Sequence, residues 1–281
     1  MLEILIETLI ENFKLFPFLF ITYLLLEYLE HKTTYKNIGF IRKANKSGPL
    51  ISSILGAIPQ CGFSAVAANL YAVRIVSLGT LIAIFLSTSD ETIPIMISNG
   101  VSPILIMQII GFKIVCGIFF GYLIDFFTKS SISENYELSH IKNLCKSECC
   151  NCEKGIVKSA LIHSINITLF IFIISLFLNI LINRFTHIGL IIYFLQIPIL
   201  GEVISGLVGL IPNCSASVIL TQLYLDGYIN LSTLLSGSFV NGGVGILVLF
   251  RTNENIKQNI YIVFMLYCCG VLGGLISNLL G

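Results

Sequence analysis

Apolar residues in this chain come in runs too long for a soluble core, separated by short intervals that are polar and mostly basic. The runs over 78–97, 101–127, 156–182 and 188–212 each reach or pass the roughly 20 residues an α-helix needs to cross a bilayer. Further spans are predicted at 15–29, 231–250 and 256–280. Two stretches, 50–58 and 62–73, are shorter, and at 1.5 Å per residue each covers about half of the membrane. Between them stands Pro59-Gln60-Cys61. The pattern predicts a re-entrant helical hairpin with its tip at those three residues. Lipid satisfies no backbone polar group, so an opened backbone at membrane depth is expected where it lines a site.

That hairpin has a twin. Pro212-Asn213-Cys214 repeats the tip 153 residues later, and the same offset pairs Gly48 with Gly201, Ser52 with Ser205 and Gly56 with Gly209. It also pairs Tyr71 with Tyr224, Thr80-Leu81 with Thr233-Leu234, Cys116-Gly117 with Cys269-Gly270, and Gly121 with Gly274. A gap-free register carrying residues as rare as Pro and Cys marks a duplication. The expected organisation is an N-terminal transmembrane repeat over 1–130, a Cys/His-rich connector over 131–155 and a C-terminal transmembrane repeat over 156–281. In the second repeat the run 188–212 is long enough to cross, so a full span stays open there beside the hairpin. The fold expected is an all-α integral membrane protein of two inverted repeats. Each has three full spans plus a Pro-broken helical pair, about ten segments in total.

Composition agrees: 56% of residues are hydrophobic, 11% charged, and the mean hydropathy is +0.92, which excludes an ordinary soluble domain. The net charge of +1 hides an asymmetry. Lys32, Lys36, Arg42, Lys43, Lys46, Arg74, Lys129, Lys142, Lys146, Lys154, Lys158, Arg251 and Lys257 fall on one side if each half crosses an odd number of times. The other side keeps little more than Lys14 and Arg184. The positive-inside rule then makes the connector cytoplasmic and both termini external, and an odd count inverts the repeats. With no Trp, interfacial anchoring falls to Tyr and Phe. The N-terminus lacks a cationic region and a small-residue cleavage site, so no signal peptide is expected. No phosphate-binding loop and no soluble nucleotidase domain occur, so any pumping draws on an ion gradient. The basic residues sit in short juxtamembrane loops, which argues against nucleic-acid binding.

Chemistry concentrates at a few points. Ser87-Thr88-Ser89-Asp90-Glu91 puts hydroxyls and two carboxylates at membrane depth, where each charge costs roughly 2.5–3.5 kcal/mol. Pro94 lacks the N–H that the Asp90 carbonyl would need in a continuous helix. Such hard oxygens suit a divalent cation, although a helix end or an ion pair would also account for them. The matching segment Asn241-Gly242-Gly243-Val244-Gly245 has no carboxylate; its glycines allow unwinding or close helix packing, and Asn241 offers an amide oxygen. Gln60, Cys61, Asn213 and Cys214 at the two tips are candidate ligands, whereas Cys116 and Cys269, each beside a glycine, read as packing residues. Lys113, too deep to snorkel, is expected to pair with Asp90 or Glu91 in an empty site. Glu27, Glu30 and His31 share one helical face at the cytoplasmic mouth, suited to ion capture or to a solvated helix end. In the connector His140, Cys145, Cys149, Cys150 and Cys152 are enough ligands to capture or sense a soft or borderline metal.

Pro59-Gln60-Cys61-Gly62, Leu70-Tyr71, Gly79-Thr80-Leu81, Phe85 through Glu91, Ile211-Pro212-Asn213-Cys214 and Glu27-Tyr28-Leu29-Glu30-His31 resemble the bacterial manganese transporters. That family is also described as ten-transmembrane heavy-metal exporters related to arsenic permeases. The resemblance implies metal export across a bacterial plasma membrane by a multi-pass protein that is not an enzyme. The family's connector is often richer in histidine, whereas here cysteine dominates. The combined expectation is gradient-driven, proton-coupled efflux of Mn²⁺ or a similar divalent ion. Asp90 and Glu91 would bind it, helped by Ser87, Thr88, Gln60, Cys61, Asn213, Cys214 and Asn241. No resident cofactor is expected; the partners are the metal ion and membrane lipid, and a homo-oligomer stays open. Rival readings are an arsenite, organoarsenical or soft-metal exporter using Cys61 and Cys214, a membrane thiol oxidoreductase using Cys149 and Cys152, and a metal-gated channel or sensor.

Overall fold

The computed structural model describes residues 47–58, 62–89, 91–128, 156–185, 199–253 and 255–280, with scattered helical positions between 6 and 24 and at 195 and 197. Most of the predicted first span, the connector with its cysteines, Pro59-Gln60-Cys61 and Asp90 lie outside these residues. Every regular element described is an α-helix. In the first half these are α1 (Gly48–Gly56), α2 (Gly62–Ala72), α3 (Leu78–Ser87), α4 (Thr92–Ser98) and α5 (Pro103–Thr128). Then come α6 (Ile156–Phe185), α7 (Leu200–Gly209), α8 (Cys214–Leu225), α9 (Leu231–Val240), α10 (Val244–Thr252) and α11 (Ile256–Leu280). Among the described residues, four segments are long and apolar enough to cross a membrane: Leu78–Ser98, Pro103–Thr128, Leu231–Thr252 and Ile256–Leu279. α6, with 30 residues, is about 45 Å long. The protein is a multi-span membrane protein.

Local chemistry explains the boundaries. α1 opens on Pro49, whose missing N–H costs nothing in a first turn. α3 is capped by Ser77, whose Oγ accepts from Thr80 N–H at 3.1 Å. Asp125 of α5 reinforces that end, accepting from Ser77 Oγ at 2.6 Å and from Gly79 N–H at 2.8 Å. α8 starts at Cys214 behind the N-cap Asn213.

Small residues set the directions of the helices. Gly48 lies against Thr80, and Gly56 against Ser87 and Ile84, so α1 and α3 run side by side in the same sense. α2 must therefore return to the end where α1 began, which makes α1–α2 a hairpin. Gly201 against Thr233 and Gly209 against Gly237 give α7, α8 and α9 the same arrangement. α5 runs back along α3, with Gly121 packed on Ala83 and Gly79. α11 does the same along α9, with Gly270 on Val240 and Gly274 on Ser236. Cys116 and Cys269 are buried among these contacts. The halves then interlock: α2 packs against α10, and α8 against α4. At one end Gln258 Nε2 donates to Tyr71 Oη at 2.7 Å and Arg74 Nη2 donates to Gln258 Oε1 at 2.6 Å. That contact brings the head of α3 together with the tail of α10, so the two central helix pairs are antiparallel.

The expected spans at 78–97 and 231–250 are of membrane length but broken inside: α3 stops at Ser87 before α4, and α9 stops at Val240 before α10. In the run 188–212, α7 begins at Leu200 behind Ile199, whose φ of 69° interrupts a helix, and residues 188–194 lie outside the described residues. The broken pairs occupy the interior. Of their membrane-length windows 76% and 94% of residues are buried, against 39% for α5 and for α11, which present apolar side chains outward.

Candidate cation site at the two helix breaks

In the first half the chain leaves α3 at Thr88, which has extended backbone angles (φ −59°, ψ 130°). Ser87, Thr88 and Ser89 are all buried. Their hydroxyls turn back onto the helix end: Ser87 Oγ and Thr88 Oγ1 donate to Ile84 O at 3.1 and 2.6 Å, and Ser89 Oγ to Ser87 O at 3.3 Å. Each keeps its oxygen lone pairs for another partner. Glu91, half-buried, stands at the start of α4, and Thr92 behind it buries a hydroxyl with no partner among the described residues. Pro94 falls in the first turn of α4, where N–H groups have no intrahelical acceptor. The break, and not the proline, ends the hydrogen-bond ladder here.

In the second half the break is Asn241-Gly242-Gly243. Gly243 has φ 52° and ψ −141°, a region essentially closed to residues with a Cβ. Asn241 stabilises the turn, its Oδ1 accepting from Gly243 N–H at 3.0 Å. The expected ligand oxygen of Asn241 thus already holds the backbone. Its Nδ2 is the buried atom without a partner among the described residues.

Lys113 of α5 joins the two breaks. Its side chain is fully buried, and its Nζ donates to Thr88 O, to Ser238 O at 3.1 Å and to Ser238 Oγ at 2.7 Å. It also lies 5.7 Å from the Phe239 ring centroid. The Ser238 carbonyl needs this donor, because Gly242 N–H, which would close the next helical turn, bonds Val240 O instead. Both carbonyls belong to helix C-terminal ends, where the dipole favours a cation. The expectation of an ion pair with Asp90 lies outside the described residues, and the bonds seen are to helix ends. Sequence reading missed Ser238: nothing in one helix indicates which carbonyl of another will meet Lys113.

The described parts of the two hairpins approach from either side. Ser64, in the first turn of α2, touches Gly245 at the start of α10; a Cβ at Gly245 would lie 2.8 Å from Ser64 Cβ and 2.8 Å from Phe85 Cε1. α8, which begins at Cys214 just after the Pro212-Asn213 tip, packs on α4. Asn213 and Cys214 are both buried, and Cys214 is in no disulfide. Each hairpin thus adjoins the break of the other half. Gln60 and Cys61, like Glu27, Glu30, His31, His140, Cys145, Cys149, Cys150 and Cys152, lie outside the described residues. Among the described residues no cluster of three or more His, Cys, Asp or Glu side chains has the geometry to hold a metal.

A family profile described as "Putative, 10TM heavy-metal exporter" matches residues 1–180. The chain belongs to this family. Heavy-metal exporters are transporters, not enzymes, and the match runs through the first hairpin, the first break and Lys113 into α6. No curated protein and no solved structure matches the chain.

Proposed function

We propose that the protein exports Mn²⁺ or a similar divalent heavy-metal ion across a bacterial plasma membrane, driven by a proton gradient. The observation that carries this reading is the Lys113 ammonium, held by carbonyls at two helix ends. A place that holds –NH₃⁺ with oxygen atoms suits a cation, and Lys113 reads as the stand-in that a metal ion displaces. Asp90 and Glu91 supply the negative charge. Ser87, Thr88, Gln60 and Asn213 supply neutral donors, Asn241 holds the turn beside them, and Cys61 with Cys214 adds the sulfur that favours a borderline ion over Mg²⁺. Antiparallel broken helices, each beside the other half's hairpin, support an inverted-repeat carrier with the site near the midplane. With the Arg74 end cytoplasmic, the connector cysteines and the Glu27–His31 face would collect metal before it enters.

Expression of Asp90→Asn in metal-sensitive cells tests the site. Protection should disappear while the protein level stays normal; full protection would sink the assignment. A soft-metal or arsenite reading finds support in the buried Cys214 at the head of α8. It predicts the reverse pattern, with resistance lost in Cys61→Ser and kept in Asp90→Asn.

A further inference from the structure

α7 carries a carboxyl that the metal site does not use. Glu202 is 1% exposed and faces α9. Its Oε1 accepts from Ser232 Oγ at 2.8 Å, and its backbone carbonyl accepts from Ser236 Oγ at 2.7 Å. Oε2 has no hydrogen-bond partner among the described residues. One turn along, Ser205 is fully buried against Gly237 of α9, and its hydroxyl also has no partner among the described residues. Residues three apart share a helix face, so both orphaned oxygens belong to the α7–α9 seam.

The duplication provides the control. Where the second half has Glu202, Ser205, Ser232 and Ser236, the first has Pro49, Ser52, Gly79 and Ala83. Ser52 Oγ there turns back to Pro49 O at 3.2 Å, and α1 packs on α3 with no carboxylate in the seam. Helix packing therefore does not require the polar set. The first half does bring Asp125 to the head of α3, but both of its oxygens are taken, one by Ser77 Oγ and one by Gly79 N–H. Asp125 is a helix cap with a partner on each oxygen, whereas Glu202 keeps one oxygen without a partner among the described residues.

Buried charges in proteins are paired or hold a cation. Here the donors are all oxygen, which suits a hard ion, and a single carboxylate balances a single positive charge. We propose that Glu202 and Ser205, with Ser232 and Ser236 beside them, form a sodium-binding site between α7 and α9, apart from the helix breaks. Sodium there would brace the second hairpin against α9 and give the carrier a second coupling ion. Only the coupling role rests on the metal-export reading; the binding site stands without it.

The test is thermal unfolding of the purified full chain in NaCl and in choline chloride at matched ionic strength. The wild-type melting temperature should rise saturably with sodium and not with choline. Glu202→Gln and Ser205→Ala should each move the sodium midpoint at least about ten-fold, while Ser52→Ala, the counterpart in the first half, leaves it in place. Equal response to the two salts, or a wild-type midpoint in both seam variants, would overturn the site. If Glu202→Gln does not fold, Ser205→Ala decides, since it removes one oxygen from a packed position. Neither readout depends on heavy-metal transport, so a protein that binds sodium but moves no Mn²⁺ would refute the export reading alone.

Discussion

Replacing Lys113 by Met keeps the length of the side chain and removes the ammonium that joins the two breaks. Two buried carbonyls, Thr88 O and Ser238 O, would lose their donor. A buried acceptor left unsatisfied costs about 1–3 kcal/mol, so the pair should cost about 2–6 kcal/mol. At about 2–4 °C per kcal/mol for a chain of this class, the melting temperature should fall by about 4 °C or more. If Lys113 stands in for a metal ion, the deficit should shrink when another cation occupies the site. MnCl₂ should therefore stabilise Lys113→Met more than wild type, measured by thermal unfolding of both proteins in the same detergent with and without the salt. An unchanged melting temperature, or an equal MnCl₂ effect on both proteins, would refute the stand-in role.

Other contacts give sharper local tests. Gly245→Ala drives a methyl group into Ser64 and Phe85 and should cost about 1–3 kcal/mol; Gly111→Ala, with nothing within 4 Å, should be neutral or stabilising in the same unfolding assay. Gln258→Leu, which installs the residue found at the equivalent position 105, breaks the bonds to Tyr71 and Arg74. Loss of the charged bond, about 1.5–3 kcal/mol, should speed hydrogen exchange at the 70–77 amides by at least about ten-fold, and unchanged exchange would show that the contact latches nothing. Asp125→Ala removes the second cap of α3 and should lower stability by about 0.5–2 kcal/mol without changing metal affinity.

Much of this architecture is legible in the sequence because membrane helices announce themselves by length. The stretches 50–58 and 62–73 are too short to cross, and Pro59 cannot continue a helix, so a hairpin follows from the bilayer thickness alone. In the second half the offset of 153 argues for the same hairpin, but the apolar run 188–212 leaves a full span open beside it. The break after Ser87 was harder to see. Ser and Thr sit comfortably in apolar helices by bonding back to their own carbonyls, so the run 78–97 looks continuous. Gly242-Gly243 was the clearer signal, since φ 52° at Gly243 is what a glycine permits. Lys113 was identifiable as too deep to be idle, but its partners are set by a contact between halves that no periodicity encodes. Glu202 escaped notice because it stands in the first turn of an apolar helix and aligns with a proline, so neither repeat nor motif marked it.

Export of a heavy-metal cation through the junction of the two breaks is the proposal most open to direct measurement. Uptake into everted membrane vesicles, with a panel of divalent metals and with the pH gradient imposed or collapsed, measures it directly. Mn²⁺ or a similar ion should accumulate in wild-type vesicles only when the gradient is present, and Asp90→Asn vesicles should stay at background. Accumulation in Asp90→Asn equal to wild type, or no accumulation of any metal by correctly inserted wild-type protein, would contradict it.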